Sequence, residues 1–468
     1  AVWRVRHRSA ALGLLAPPVG GPKLGIVIGA VLAALCQSQG VLAAPMSIVL
    51  LGILLAATRP HALMQLIALV VAQNGIALAG CHAPAGFGVP LAGLVLPVPL
   101  AGALIAGYPR PGWGVMSPPA AHAIGWVRFA ASVGLFIVTI TVPLDPIAAV
   151  FAPLLAFDGM LRAWAERTRV AAAPFGHAAA LIRAGLIVLA VASPVPLTAW
   201  FGITGAMIAA LFPVMERCWP QVTLGLCAAA FALLGLLAEG AGIPAAGYPA
   251  LFIGYAVVAI LVPPLAVPLT VLVLRQVATP EWAPAAAWLV SGIGLAGMLA
   301  CAVMLQCGLT RRPLGHHPLG RHRLTLLYLG QVAVALVAIG TDRPDGRYAA
   351  AILLILLILT RAASRFGTGP AAALAAAGLG GVPPLGVFPA LILVVLAVCG
   401  TAPWLLLPLG AALVLMASAS LPLRRPALDS RTALLSAAWL PLALAVLVGF
   451  LTPDSLARWL RLLAAGAS

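Results

Sequence analysis

Polar and apolar positions alternate along this chain on the scale of whole helices, not of single residues. Long runs of Ala, Leu and Val are separated by short links carrying arginine, proline and glycine. No Asp, Glu, Lys or Arg occurs from His61 to Pro109 or from Phe366 to Leu423. Both stretches exceed the ~20 apolar residues that cross a bilayer once. Backbone groups in hydrocarbon must be satisfied internally, which leaves helices or a closed barrel. Barrel strands alternate apolar and polar residues, whereas Ala350–Thr360 is apolar almost throughout. The pattern predicts an all-α, polytopic transmembrane helix bundle of about 12–15 spans, counted from that ~20-residue unit.

Spans are expected near 24–42, 45–57, 62–80 and 87–107, and then from 121 onward. Pro109, Pro111, Gly112, Pro118 and Pro119 are too dense for a helix, so a linker is expected at 108–120. This divides the chain into 1–107, the linker, and a helical domain over 121–468. Pro263-Pro264 and Pro383-Pro384 lie inside apolar runs, where proline removes a donor and clashes with the preceding turn. Discontinuous helices are expected at both places. Residues 1–21, basic and then weakly apolar, read as a cytoplasmic start and not a cleaved signal. The tail 452–463 reads as a short interfacial helix.

Composition agrees: 63% of residues are hydrophobic and 8% are charged, against about a quarter charged in soluble domains. A formal net charge of +16 invites a nucleic-acid reading. The arginines instead sit in clusters between apolar runs, such as Arg162, Arg167 and Arg169, or Arg311, Arg312, Arg321 and Arg323. That is the footprint of positive-inside loops, without the basic, aromatic-interleaved surface that nucleic acid needs. Seven scattered cysteines have no metal-ligand spacing and read as small apolar residues. A Gly-Lys-Ser/Thr phosphate loop is absent from the sequence. Neither a metal nor a cofactor is expected; the lipid bilayer is a partner and nucleic acid is not.

Four segments carry a resemblance. Met46–Cys81 has a helix, a basic Thr58-Arg59-Pro60-His61 link, and a second helix with Gln73-Asn74-Gly75. It resembles the small membrane subunit of energy-converting hydrogenases of the formate hydrogenlyase type, where the triplet is Glu-Asn-Gly. Asp145-Pro146-Ile147-Ala148-Ala149-Val150-Phe151 resembles the D-P-L-S-A-x-F stretch of the antiporter-like subunits of respiratory complex I and of multi-subunit sodium/proton antiporters. Asp145 also suits an N-cap with proline at the first helical position. Arg321–Gly340 resembles the family's K-R-L-L-A-Y-S-S segment, with Arg323, Leu324 and Tyr328 in step. Ala377–Leu391 is similar to its L-x-G-x-P-P-x-x-G-F-x-x-K, through Gly381, Pro383-Pro384, Gly386 and Phe388, without the lysine.

The resemblance implies a membrane-arm subunit of a redox-driven, complex I-like or hydrogenase-like assembly in a bacterial-type inner membrane. Its partners would be other membrane subunits, and redox chemistry would occur on them. It also implies a proton path through a helix glutamate, lysines and a histidine. Here Gln73 and Thr204 stand where glutamates are expected, and the single lysine, Lys23, precedes the first span. The chain is therefore expected to be either a proton route or a structural, non-pumping element. The proton-path candidates are Gln73, Asp158, Thr204, Glu239, His177 and Arg323, from a wider set that includes Arg128, Arg183, Arg361 and His122. For Asp158, Glu166 and Glu216 the plain alternative is solvated loop ion pairs with Arg162, Arg169 and Arg217 nearby, since surface pairs contribute little. Glu239 beside Gly240 reads as a helix end at the interface. The other functional classes are a stand-alone cation/proton secondary transporter, with discontinuous helices around a polar site, and a lipid-acting enzyme using the His/Arg loop 311–323.

Overall fold

The structure, a computed structural model, describes residues 43–58, 118–167, 174–211, 219–242, 244–277, 284–311, 319–365, 370–383, 386–420 and 439–450, with a few single positions between. The spans expected near 24–42 and 87–107, most of that at 62–80, most of the 108–120 linker and nearly all of the tail lie outside them. Among the described residues there are fifteen α-helices and no strand. Six helices are long and apolar enough to cross a membrane, and seven shorter ones are apolar too. The all-α, multi-pass reading of the sequence holds.

Two compact units divide at 227/228. The first holds α1 (Ala43–Thr58), α2 (Pro118–Thr141), α3 (Pro146–Glu166), α4 (Pro174–Ala192) and α5 (Pro196–Leu211), and the start of α6 (Trp219–Gly240). Helices α2 to α5 run as an antiparallel meander, each packed on the next, with α2 also touching α4. Prolines set the boundaries. Helices α2, α3, α4 and α5 all begin on one, where its missing N–H costs nothing and its φ is already helical. The Asp145 side chain accepts from the Ala148 N–H at 3.0 Å and caps α3, as the sequence predicts. Close helix approach uses glycine: a Cβ on Gly202 would lie 2.7 Å from the Leu186 carbonyl oxygen of α4.

The second unit holds the rest of α6, α7 (Pro244–Leu261), a 3-10 turn over Pro263–Leu265, α8 (Ala266–Val277), α9 (Pro284–Arg311), α10 (Leu319–Ile339) and α11 (Pro344–Arg365). It continues through α12 (Pro370–Leu379), α13 (Phe388–Cys399), a 3-10 turn over Pro403–Leu405, α14 (Leu406–Ser420) and α15 (Trp439–Phe450). Its centre is α11, packed by α8, α10, α12, α13 and α15. Of its apolar window, 89% is buried in protein, against 33–44% for the other five long spans. An apolar helix shielded from lipid on all sides serves as the core of the unit.

Both expected helix breaks are present. The first separates α7 from α8 at Val262–Leu265, where two consecutive prolines remove two donors from the ladder. The second separates α12 from α13. There Gly381 and Gly386 have φ of +77° and +65°, a region that side chains with a Cβ rarely adopt. Bonds from Gly381 N–H to the Gly378 carbonyl and from Val382 N–H to the Ala377 carbonyl close the end of α12.

Candidate functional site

Burying charge in hydrocarbon is costly, so intramembrane charges mark function by default. Among the described residues, the first unit gathers most of its charges on three neighbouring helices. Arg128 of α2 lies ten residues into its helix with its side chain 5% exposed. One of its terminal nitrogens donates to Glu166 Oε2 at 2.8 Å and lies 3.2 Å from His177 Nδ1. Glu166 ends α3 and His177 lies in the first turn of α4, so one guanidinium ties three helices together. His177 is buried, and its Nε2 has no protein partner among the described residues.

From this end the charge continues inward along α3 and α4. Arg162 pairs with Asp158 one turn away, and Asp158 is buried. Asp158 is eight residues from Glu166, which is about 12 Å at 1.5 Å per helical residue. Arg162 and Arg183, like Arg128, act electrostatically on Glu166. Near Glu166 itself, the Arg167 guanidinium stacks 3.3 Å from the Trp164 ring centroid and 5.1 Å from that of Trp126. Paired tryptophans with a cation are typical of a membrane–water interface. The polar lane thus runs from an aromatic-belted end to the middle of α3.

Two expectations are corrected here. Asp158 is paired with Arg162, but inside α3 and buried, not in a solvated loop. Helix α3 runs on to Glu166 through Pro153, whose missing N–H removes one ladder bond without ending the helix. Glu166 takes its partner not from its sequence neighbours but from Arg128, 38 residues earlier.

Thr204 is buried in α5 without a protein partner for its hydroxyl among the described residues, as is Thr198. Gln73 lies outside the described residues; Asn74 beside it is exposed. Glu239 sits in the last turn of α6, as expected of a helix end, and accepts twice from Gln276 Nε2 of α8 at 2.9 Å. Arg323 is half-buried in the first turns of α10. The structure brings Asp158 and His177 into one lane and leaves the other described candidates outside it.

At the break between α7 and α8 the second unit presents a different chemistry. The Arg361 guanidinium lies 3.5 Å from the Tyr328 ring centroid and makes a long 3.5 Å contact to the Pro263 carbonyl oxygen. The Tyr328 hydroxyl accepts from the Val267 N–H at 3.3 Å. The Tyr328 hydroxyl thus meets an N–H at the start of α8, while the Pro263 carbonyl in the turn also accepts from the Ala266 N–H. At the second break Gln331, fully buried, donates to the Leu379 carbonyl at 3.0 Å. Neither the Tyr328 contact nor those of Gln331 and Gln276 were anticipated. Only Tyr328 carried a signal, its place in the K-R-L-L-A-Y-like segment.

Solved structures share this fold. A chain of the Mrp complex from Dietzia sp. DQ12-45-1b matches with TM-score 0.61 at 14% identity, over 81% of this chain and 52% of that one. A chain of respiratory complex I from Thermus thermophilus matches with TM-score 0.56 at 18% identity, over 80% of this chain and 98% of that one. A chain of the membrane-bound sulfane sulfur reductase, an archaeal respiratory membrane complex, matches with TM-score 0.58 at 14% identity, over 81% and 97%. This chain spans about half the length of the Mrp chain it matches. No protein-family model and no curated protein matches it. The chain thus shares its fold with a chain of each of these three assemblies, in keeping with the resemblance carried by its Asp145-Pro146 and Gly381-Val382-Pro383-Pro384 segments.

Proposed function

We propose that this chain is a membrane-arm subunit of a redox-driven assembly, and that it handles protons through the lane on α2, α3 and α4. The observation that carries the reading is Asp158, Glu166 and His177 held with arginines inside a fold shared with respiratory membrane complexes. Carboxylate and imidazole change charge on taking a proton, whereas Thr204, Gln331 and Arg361 do not do so near neutral pH. Proton handling in this reading belongs to that lane in the first unit; the second unit, whose Glu239 is held at a helix end by Gln276, is a structural frame. In this reading residues 1–107 form a small-subunit-like module, 108–120 a linker and 121–468 the antiporter-like part. Other membrane subunits are its partners, redox chemistry takes place on them, and the host membrane is of the bacterial inner type.

Purification in mild detergent with identification of co-eluting chains tests the assembly. Redox subunits are expected; a lone chain that transports cations in vesicles would favour a secondary transporter, which the two discontinuous helices also suit. Proton movement is tested by Asp158→Asn in the reconstituted complex. A large loss of dye-reported acidification is expected, and wild-type rates would remove the lane from the path.

A further inference from the structure

An arginine in a folded protein only donates, because its guanidinium does not lose a proton in the accessible range. Arg128 lies 3.2 Å from His177 Nδ1, so that nitrogen presents its lone pair. A neutral imidazole with a lone pair on Nδ1 carries its hydrogen on Nε2. A donation from Arg128 to Nδ1 thus requires the Nε2–H tautomer of neutral His177. It also makes Arg128 a shared donor, since the same guanidinium nitrogen serves Glu166 Oε2 at 2.8 Å.

We propose that Glu166, Arg128 and His177 form a single proton-binding site in which Arg128 changes partners with the proton. A proton from surface water adds to the Nδ1 lone pair. The nitrogen then becomes a donor, and the Arg128–His177 hydrogen bond is the only one that breaks. Arg128 turns wholly to the Glu166 carboxylate, and the new imidazolium remains in the field of that same carboxylate. Deprotonation reverses each step. Access runs through Glu166, whose side chain is 41% exposed while that of Arg128 is 5% exposed. Among the described residues, the elements packed around α4 bring few charged or titratable groups: Arg128 and His122 from α2, Glu166 with Arg162 and Asp158 further in from α3, Arg167 just after it, Arg183 on α4 itself, and none from α5. The site rests on the proton-handling reading only for its purpose; its geometry stands without transport.

The test is nitrogen NMR of the full chain in lipid, with labelled histidine and His177→Gln to assign its signals among the eight histidines. At high pH the neutral ring is expected to carry hydrogen on Nε2, and at low pH on both nitrogens. In Glu166→Gln the midpoint is expected to fall by about one pH unit, a tenfold weaker proton affinity, because Arg128 then has no carboxylate to turn to. Glu166→Asp keeps the charge and is expected to stay near the wild-type midpoint. Hydrogen on Nδ1 in the neutral ring would overturn the proposal, as would a midpoint unmoved in Glu166→Gln. Both readouts are independent of transport, so a failed acidification assay with a correct tautomer leaves this site in place and removes only its role in pumping.

Discussion

Both units bury an arginine, but they surround it differently. Arg128 shares one nitrogen between a half-exposed carboxylate and a buried imidazole, two groups that can each accept a proton. Arg361 lies on the Tyr328 ring and reaches a backbone carbonyl, with a threonine beside it in sequence. The first environment changes charge when a proton arrives. The aromatic face and the carbonyl oxygen that meet Arg361 stay neutral. A cation in the membrane-spanning part is thus no sign of proton handling by itself; the chemistry of its partners decides.

The largest expected effect falls on the second unit. Gly386→Ala places a Cβ at positive φ, 2.6 Å from the Gly378 backbone, and should cost about 3–5 kcal/mol in strain and overlap. Thermal unfolding in detergent reads this, and an unchanged transition would mean that the break is not built as described. Next comes Arg128→Ala, which removes the donor shared by Glu166 and His177. A loss of ~2–3 kcal/mol is expected for hydrogen bonds to charged groups, together with loss of acidification in vesicles. Tyr328→Phe orphans the Val267 N–H, a cost of about 1–2 kcal/mol. The comparison requires that its acidification rate per folded protein stay at the wild-type level; a changed pH profile would bring the second unit into the proton path. Arg361→Lys keeps the charge but loses the planar stack, roughly 1 kcal/mol. It also introduces a titratable cation at the break, so a pH dependence of unfolding absent from Tyr328→Phe should emerge. Smallest of all is Thr204→Val, near-isosteric at a buried hydroxyl without a protein partner. Stability should move by no more than ~0.5 kcal/mol, since removing an unmet polar group is close to neutral. A loss of acidification in this variant would draw the path back to α5.

Much of the frame was legible in the chain. Proline at a helix start, Asp145 before Pro146, and two prolines in an apolar run are local devices, and their conformational consequences stay within a few residues. The breaks at Pro263 and Pro383 followed from them. The candidate site was only half legible. Asp158 and Arg162 stand four apart, a spacing that pairs side chains on any helix. Glu166 and Arg128 have no such relation, and sequence proximity pointed Glu166 to the wrong arginines.

By itself, then, the sequence determined the solvent, the helical class, the Asp145 cap before α3 and the two breaks, because hydropathy and backbone chemistry act locally. Tertiary structure alone decided which charges meet. Arg128, Glu166 and His177 come together because α2, α3 and α4 pack as an antiparallel meander that sets the end of one helix beside the start of the next. That packing turns isolated charges into a shared site, and no period in the chain encodes it.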